Sequence, residues 1–196
     1  MALDVLSPPP ASLAALAPIL GPAPAAHANP LRAQVADATP DHVTLPTPVY
    51  VLGLDSLING RGLADARLVG WRYIIDKGTG ATVAAEVGYD HGTAQHAFSS
   101  LNQGSFVDDT PVQVAAAQRA PEVASGDYEL RLLRIPALYL VALWLKDRNG
   151  VEDRLVPLAP SQPPLTAGRI YPVAEVEKLL EPQAAERLKF DDRPKP

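Results

Sequence analysis

The chain has 196 residues and a formal charge of −5, with 47% hydrophobic and 20% charged residues, 21 prolines and no cysteine. That length suits one domain with tails and can bury a core without a covalent staple. Lack of cysteine excludes disulfides, a thiolate nucleophile and any metal site built on thiolates. The acidic balance argues against nucleic acid or an anionic membrane surface as partner, since both select clustered Lys and Arg.

Near the start, Leu13, Leu16, Ile19 and Leu20 followed by Ala26-His27-Ala28 imitate an export signal with its cleavage site. Asp4, the absence of early Lys or Arg, and Pro18 inside the apolar run all oppose that reading, so a cytoplasmic protein is expected. The longest apolar run, Ile135 to Leu145, contains Pro136. It is about half the ~20 residues a spanning helix needs, and membrane insertion is not expected.

Proline divides the rest. Ten prolines lie in residues 1–48, three in 49–149 and eight in 150–196. Because proline removes a backbone donor and fixes φ, a sheet tolerates few. The expected organisation is a proline-rich arm over 1–48, one α+β domain over 49–158, and a second proline-rich arm over 159–196 with one amphipathic helix.

Within the domain, Val49 to Leu52 reads as a short strand. Leu68–Asp76 alternates, with Val69, Trp71, Tyr73 and Ile75 on one face and Arg72 and Asp76 on the other. Residues 81–89 alternate too, with Thr82 and Glu86 opposite the apolar set; the intervening Lys77-Gly78-Thr79-Gly80 predicts a hairpin. Ala94, Ala97, Phe98 and Leu101 fall at helical spacing behind Thr93, which predicts a short helix. Thr110-Pro111-Val112-Gln113 combines an N-cap, proline at the first helical position and a reciprocal Gln, predicting a helix from Pro111 to Arg119. Tyr128, Leu130 and Leu132 alternate as a strand. A second strand follows over 137–145; Asn149-Gly150 marks a hairpin turn, and Val151–Leu158 returns. Pro172, Val173, Val176 and Leu180 suggest a closing helix. The fold class is therefore α+β: a mainly antiparallel sheet of five or six strands, two helices inserted between hairpins, and extended arms at both ends.

The strand over 137–145 does not alternate. Tyr139, Val141 and Leu143 would face one side, and Leu138, Leu140 and Trp144 the other. Both faces must leave water, which normally means a layer on each side. Burying three such side chains is worth about 1.5–3 kcal/mol each. The arms and final helix can supply that cover, and so can a partner subunit.

Several residues could carry chemistry. Leu52-Gly53-Leu54-Asp55-Ser56-Leu57 resembles the phosphopantetheine attachment site of acyl carrier proteins, which implies Ser56 as the modified residue and Asp55 as a recognition residue. The resemblance covers six residues, and Asn59, Gly60 and Gly62 would break the helix such a site requires. Asp90, His91 and His96 could form an acid–base pair or hold a metal ion, but two ligands at neighbouring positions are not a site. Ser99 and Ser100 with His96 and Asp90 contain the residue types of a hydrolase triad without its nucleophile elbow. Glu86 could be a cleft carboxylate. Arg131, Arg134, Lys146, Arg148 and Arg154 interleave with Asp147, Glu152 and Asp153 as a mixed-charge rim, while Arg72 and Arg131, if neighbours on a polar face, could clamp a carboxylate.

Three functions follow, one of them the carrier-like modification at Ser56 that the resemblance above implies. The first is a non-catalytic interaction or assembly protein that contacts partner subunits, or copies of itself, through its proline-rich arms and an apolar sheet face. The second is a small-molecule-binding or enzymatic domain with a pocket between sheet and helices. Its candidate binding residues are Trp71, Tyr73, Tyr89, Tyr139, Trp144, Glu86 and His91. No catalytic residue, metal or cofactor is assigned, and an enzyme is the less favoured class.

Overall fold

The computed structural model describes residues 3–21, 30–78 and 82–190. Among these the strands are β1 (Leu3–Asp4), β2 (Val43–Val51), β3 (Arg67–Asp76), β4 (Thr82–Asp90), β5 (Gln95–Asn102), β6 (Tyr128–Ile135), β7 (Leu140–Asp147), β8 (Arg154–Pro157) and β9 (Tyr171–Pro172). The helices are α1 (Pro10–Ala14), α2 (Ala17–Leu20), α3 (Pro30–Gln34), α4 (Leu54–Ile58), α5 (Ser105–Arg119), α6 (Pro121–Ala124) and α7 (Val173–Leu188). The class is α+β, but the sheet has nine strands, in the order β5-β4-β3-β2-β6-β7-β8-β9, with β1 added on β6. Pairing is antiparallel except where β1 and β2 run parallel along one edge of β6.

The β3–β4 hairpin forms where alternation places it, with Trp71 opposite Val87 and Arg72 opposite Glu86. Four other expectations are corrected. Residues 95–102 are strand, not helix. A bulge sets Phe98 opposite Val87 and Ser100 opposite Glu86, leaving Ser99 as the extra residue. That phase slip returns Phe98 and Leu101 to one face, so a bulged strand imitates the i, i+3 spacing of a helix. The turn before it is a hairpin loop in which Asp90 accepts the Gly92 and Thr93 amides at 2.7 and 3.2 Å.

Helix α5 starts at Ser105, six residues ahead of Pro111, which lies inside it. Thr110 is no N-cap: its hydroxyl donates back to the Phe106 carbonyl at 2.7 Å. Burial of Val107 against Ile74 and Ala84 holds the added turns in place, so tertiary packing overrides the local stop. At the next correction, Pro136 opens a 3-10 turn that leaves Tyr139 left-handed at φ 51° and 69% exposed. Strand β7 therefore begins at Leu140, and Tyr139 is not on its apolar face. Finally, the turn holding Asn149-Gly150 is no tight hairpin. Leu145 pairs with Arg154, and the loop between is organised by Asp147, whose carboxylate accepts the amides of Asn149, Val151 and Glu152 at 2.8–3.2 Å.

The described parts of residues 1–48 pack on their own sheet instead of extending away from it. Strand β2 starts at Val43 despite Pro46 and Pro48. Pro46 falls within a register shift, and β6 joins β2 only from Val49, so both missing amides sit where a ladder bond is dispensable. Leu16, Ile19, Val35 and Ala38 bury against Trp71, Tyr73 and Ile75. Ala26-His27-Ala28 lies outside the described residues.

Both faces of β7 are covered from within the chain. Leu140, Ala142 and Trp144 meet Leu57, Val176 and Leu180 of α4 and α7. Leu143 and Leu145 meet Val114, Ala117 and Val123 of α5 and α6. Among the described residues no helix is long and apolar enough to cross a membrane.

Ser12 and Tyr73 tie α1 to the sheet through a 2.6 Å hydroxyl–hydroxyl bond in which Ser12 is fully buried. Tyr73→Phe should cost about 1–3 kcal/mol, because it strands a buried hydroxyl. Adding Ser12→Ala should recover part of that loss. Urea unfolding of the two single variants and the double variant measures the coupling, and purely additive losses would mean that the two hydroxyls do not depend on each other.

Candidate functional site

Alternation gives each half of the sheet a second face. Opposite the Trp71–Tyr73–Ile75 core, cross-strand register lines up Thr47, Arg72, Glu86 and Ser100 in one row across β2, β3, β4 and β5. The next row is Val49, Gly70, Gly88 and Ala97. Its two glycines leave the floor low beside the polar row. Arg134, on the same face of β6 as Leu130 and Leu132, reaches Glu86 past both intervening strands.

The result is a carboxylate held by two guanidiniums. Arg72 donates to Glu86 Oε1 from Nε at 3.1 Å and from Nη2 at 2.9 Å. Arg134 donates from Nη1 to Oε2 at 3.0 Å and from Nη2 to Oε1. Side-chain exposure is 6% for Arg72, 14% for Glu86 and 24% for Arg134. Burial pushes the Glu86 carboxyl up, but the hydrogen bonds and charges of Arg134 and Arg72 outweigh it and hold the group below its ordinary value. Burial, and then the neighbouring Arg134 charge, lower the Arg72 value despite Glu86. One donor is left over: Arg72 Nη1 is buried and has no hydrogen-bond partner.

This trio lines a cleft of about 460 Å³ between the sheet and the start of α5. Ser100, Asn102 and Ser105 add neutral polar groups, while Phe106, Val107 and Val141 form an apolar wall. Gly104, at φ 124°, precedes the helix, and its carbonyl accepts the Val107 and Asp108 amides at 2.8 and 3.0 Å. The Ser105 and Phe106 amides, ahead of those two bonds, mark the positive end of α5. Counting the side-chain charges, two cations and one anion leave the cleft at +1.

The other residues singled out from the sequence do not share this site. Trp71 and Tyr73 point into the opposite core. Trp144 is buried against α7; its indole donates to Asp153 at 2.9 Å. Arg131 also lies on that opposite side, 4.8 Å from the ring centres of both Tyr50 and Trp144 and paired with Glu129. The second guanidinium on Glu86 is therefore Arg134, three residues along β6. Tyr139 is exposed in its turn.

His91 and His96 do meet, through Tyr89, at centroid distances of 4.8 and 4.9 Å. His91 Nε2 also lies 2.6 Å from the Leu68 carbonyl. No group of three His, Cys, Asp or Glu able to hold a metal ion occurs among the described residues. Register puts Ser100 and His96 on opposite faces, so they cannot form a triad. Ser56 is buried, donates to Asp65 at 2.9 Å, and belongs to a helix of five residues. A carrier attachment serine must stand exposed at the head of a long helix.

Only Glu86 of the expected pocket residues lines the cleft, with Arg72 beside it. The sequence places Arg134 only in a mixed-charge rim and singles out neither Asn102 nor Phe106. A usable signal was present for Arg134: it continues the Leu130–Leu132 phase, so a charge sits where alternation demands an apolar residue. No protein-family model, curated protein or solved structure matches the chain.

Proposed function

We propose that the chain is a small-molecule-binding domain whose ligand occupies the cleft between β3–β5 and the start of α5. The observation that carries this reading is the polar row. On a sheet face that also carries Val49, Ile74, Ala84 and Leu132, one row holds Thr47, Arg72, Glu86 and Ser100, and Arg72, Glu86 and Ser100 of that row line a cleft. Buried ion pairs are weak contributors to stability compared with apolar packing, so fold stability gives little reason to keep them. Binding is favoured over acid–base catalysis because both Glu86 oxygens are already engaged by cations, which makes the group a poor proton acceptor.

An assembly role through the proline-rich arms and an apolar sheet face has less support, because α4, α5, α6 and α7 cover both faces of β7 from within the chain. Edge strand β5 carries no charge and no proline, but its bulge at Ser99 already interrupts a flat pairing edge. The ligand reading is tested by an NMR fragment screen on the full chain. Amide shifts at Ser100, Asn102 and Phe106 that are lost in Arg134→Gln are expected; hits that map elsewhere would end it.

A further inference from the structure

We infer that the ligand of this cleft is a small organic monocarboxylate; the inference rests on the binding reading above and names its chemical class. Charge is the first reason. Arg72 and Arg134 together face a single carboxylate, Glu86, so one positive charge is uncompensated among the cleft side chains. The positive end of the 15-residue helix α5 opens on the same space. One negative charge balances that set. Glu86 repels any anion in the cleft, but at the same distance it repels a dianion about twice as strongly as a monoanion.

A second, independent reason is the unmet donor on Arg72. The residue is 5% exposed, lines the cleft, and has a terminal nitrogen that meets neither an acceptor nor solvent. Guanidinium N–H groups are strong donors with a planar fork suited to carboxylate oxygens, and leaving one unmet in a buried place is costly. Because no water-sized atom reaches it in this arrangement, a ligand oxygen meets it only when the Arg72 fork turns toward the cleft, a turn that the unmet donor favours.

The walls set the rest of the molecule. Phe106, Val107 and Val141 add apolar surface to the lining, with Val141 beside Arg134 in register, so the body that accompanies the charged head is apolar and compact. A free inorganic anion would leave that wall unused. An aromatic or branched aliphatic acid of a few carbons fills it and keeps the head on the arginine side.

The test uses three probes that share a phenyl ring, on the full chain at constant ionic strength and pH 7: benzoate, its neutral isostere benzamide, and phenyl phosphate. Chemical-shift titration should show benzoate binding about tenfold or more tightly than benzamide, the margin of a hydrogen bond to a charged group. Phenyl phosphate should bind no better than benzoate. Arg134→Gln should remove the preference for benzoate. Should that variant fail to fold, Asn102→Asp, which adds a negative charge at the cleft, should weaken benzoate and spare benzamide, while Arg169→Gln, remote from the cleft, should change neither. Benzamide equal to benzoate, or phenyl phosphate tighter than both, would overturn the assigned class and leave the binding reading standing. Benzoate binding untouched by both cleft variants would place the acid elsewhere and overturn the inference. If no probe binds and the fragment screen also maps nothing to the cleft, the binding reading falls with it.

Discussion

Replacing Gly70 by alanine should cost about 3–5 kcal/mol, enough to unfold much of a domain whose whole stability is of order 5–15 kcal/mol. Gly70 lies in the middle of β3 at φ 155°, a conformation that side-chain-bearing residues rarely adopt. An added Cβ would stand 2.0 Å from the Val87 carbonyl oxygen and 3.0 Å from the Gly88 Cα. Both are backbone atoms of the paired strand, so relief requires opening the β3–β4 ladder and cannot come from turning a side chain. Gly88, opposite in the same row, supplies the control: its nearest atom to an added Cβ is the Ala97 carbonyl oxygen at 3.9 Å. Gly88→Ala should stay within about 1 kcal/mol of the parent. Denaturant midpoints of the two variants decide the matter, and equal losses would mean that the clash is absorbed by the sheet.

The same hairpin marks how far sequence reasoning reached. Alternation located β3 and β4 closely, because one face of each carries an unbroken apolar set while Arg72, Asp76, Thr82 and Glu86 mark the other. It failed at β5 for a definable reason. The extra residue Ser99 shifts the phase by one, and an apolar pattern with a phase shift looks helical over eight residues. The start of α5 was misplaced because Thr110-Pro111 is a good local start signal, while the packing of Val107 that extends the helix is non-local.

The candidate site is half legible. Arg72 and Glu86 read from alternation as polar positions, but the clamp expected from the sequence joins Arg72 to Arg131, not to Arg134, and does not name Glu86 as its target. Which arginine on β6 completes it depends on parity. Position 131 takes the face with Tyr50 and Trp144, and position 134 takes the face with Glu86. Nothing local in the sequence says which face of β6 turns toward β4 across two intervening strands. That follows only from the parallel β2–β6 pairing, a long-range contact between Val49 and Leu132.

The trio makes the second large prediction. Glu86→Gln removes the anion between two guanidiniums that share little solvent, and breaking a buried pair from one side typically costs about 3–5 kcal/mol. Its pH dependence has a definite sign. Glu86 titrates lower in the folded chain than in the unfolded one, because Arg134 and Arg72 outweigh the opposing effect of burial. The stability it contributes is then complete above the unfolded carboxylate value of ~4.3 and is lost as pH falls through the lower folded value. The gap between wild type and Glu86→Gln should therefore be constant from pH 7 to about 5 and narrow in stronger acid. Urea unfolding at a series of pH values measures it, and a gap that widens on acidification would reverse the assignment. Replacing the whole trio, with Arg72→Met, Glu86→Leu and Arg134→Met together, should restore wild-type stability or exceed it, since no charge is then stranded. If that variant is stable and no longer distinguishes benzoate from benzamide, the three charges serve the ligand and not the fold. Were it as unstable as Glu86→Gln alone, the row across β2–β5 would be a structural brace, and the case for a binding cleft would lose its main support.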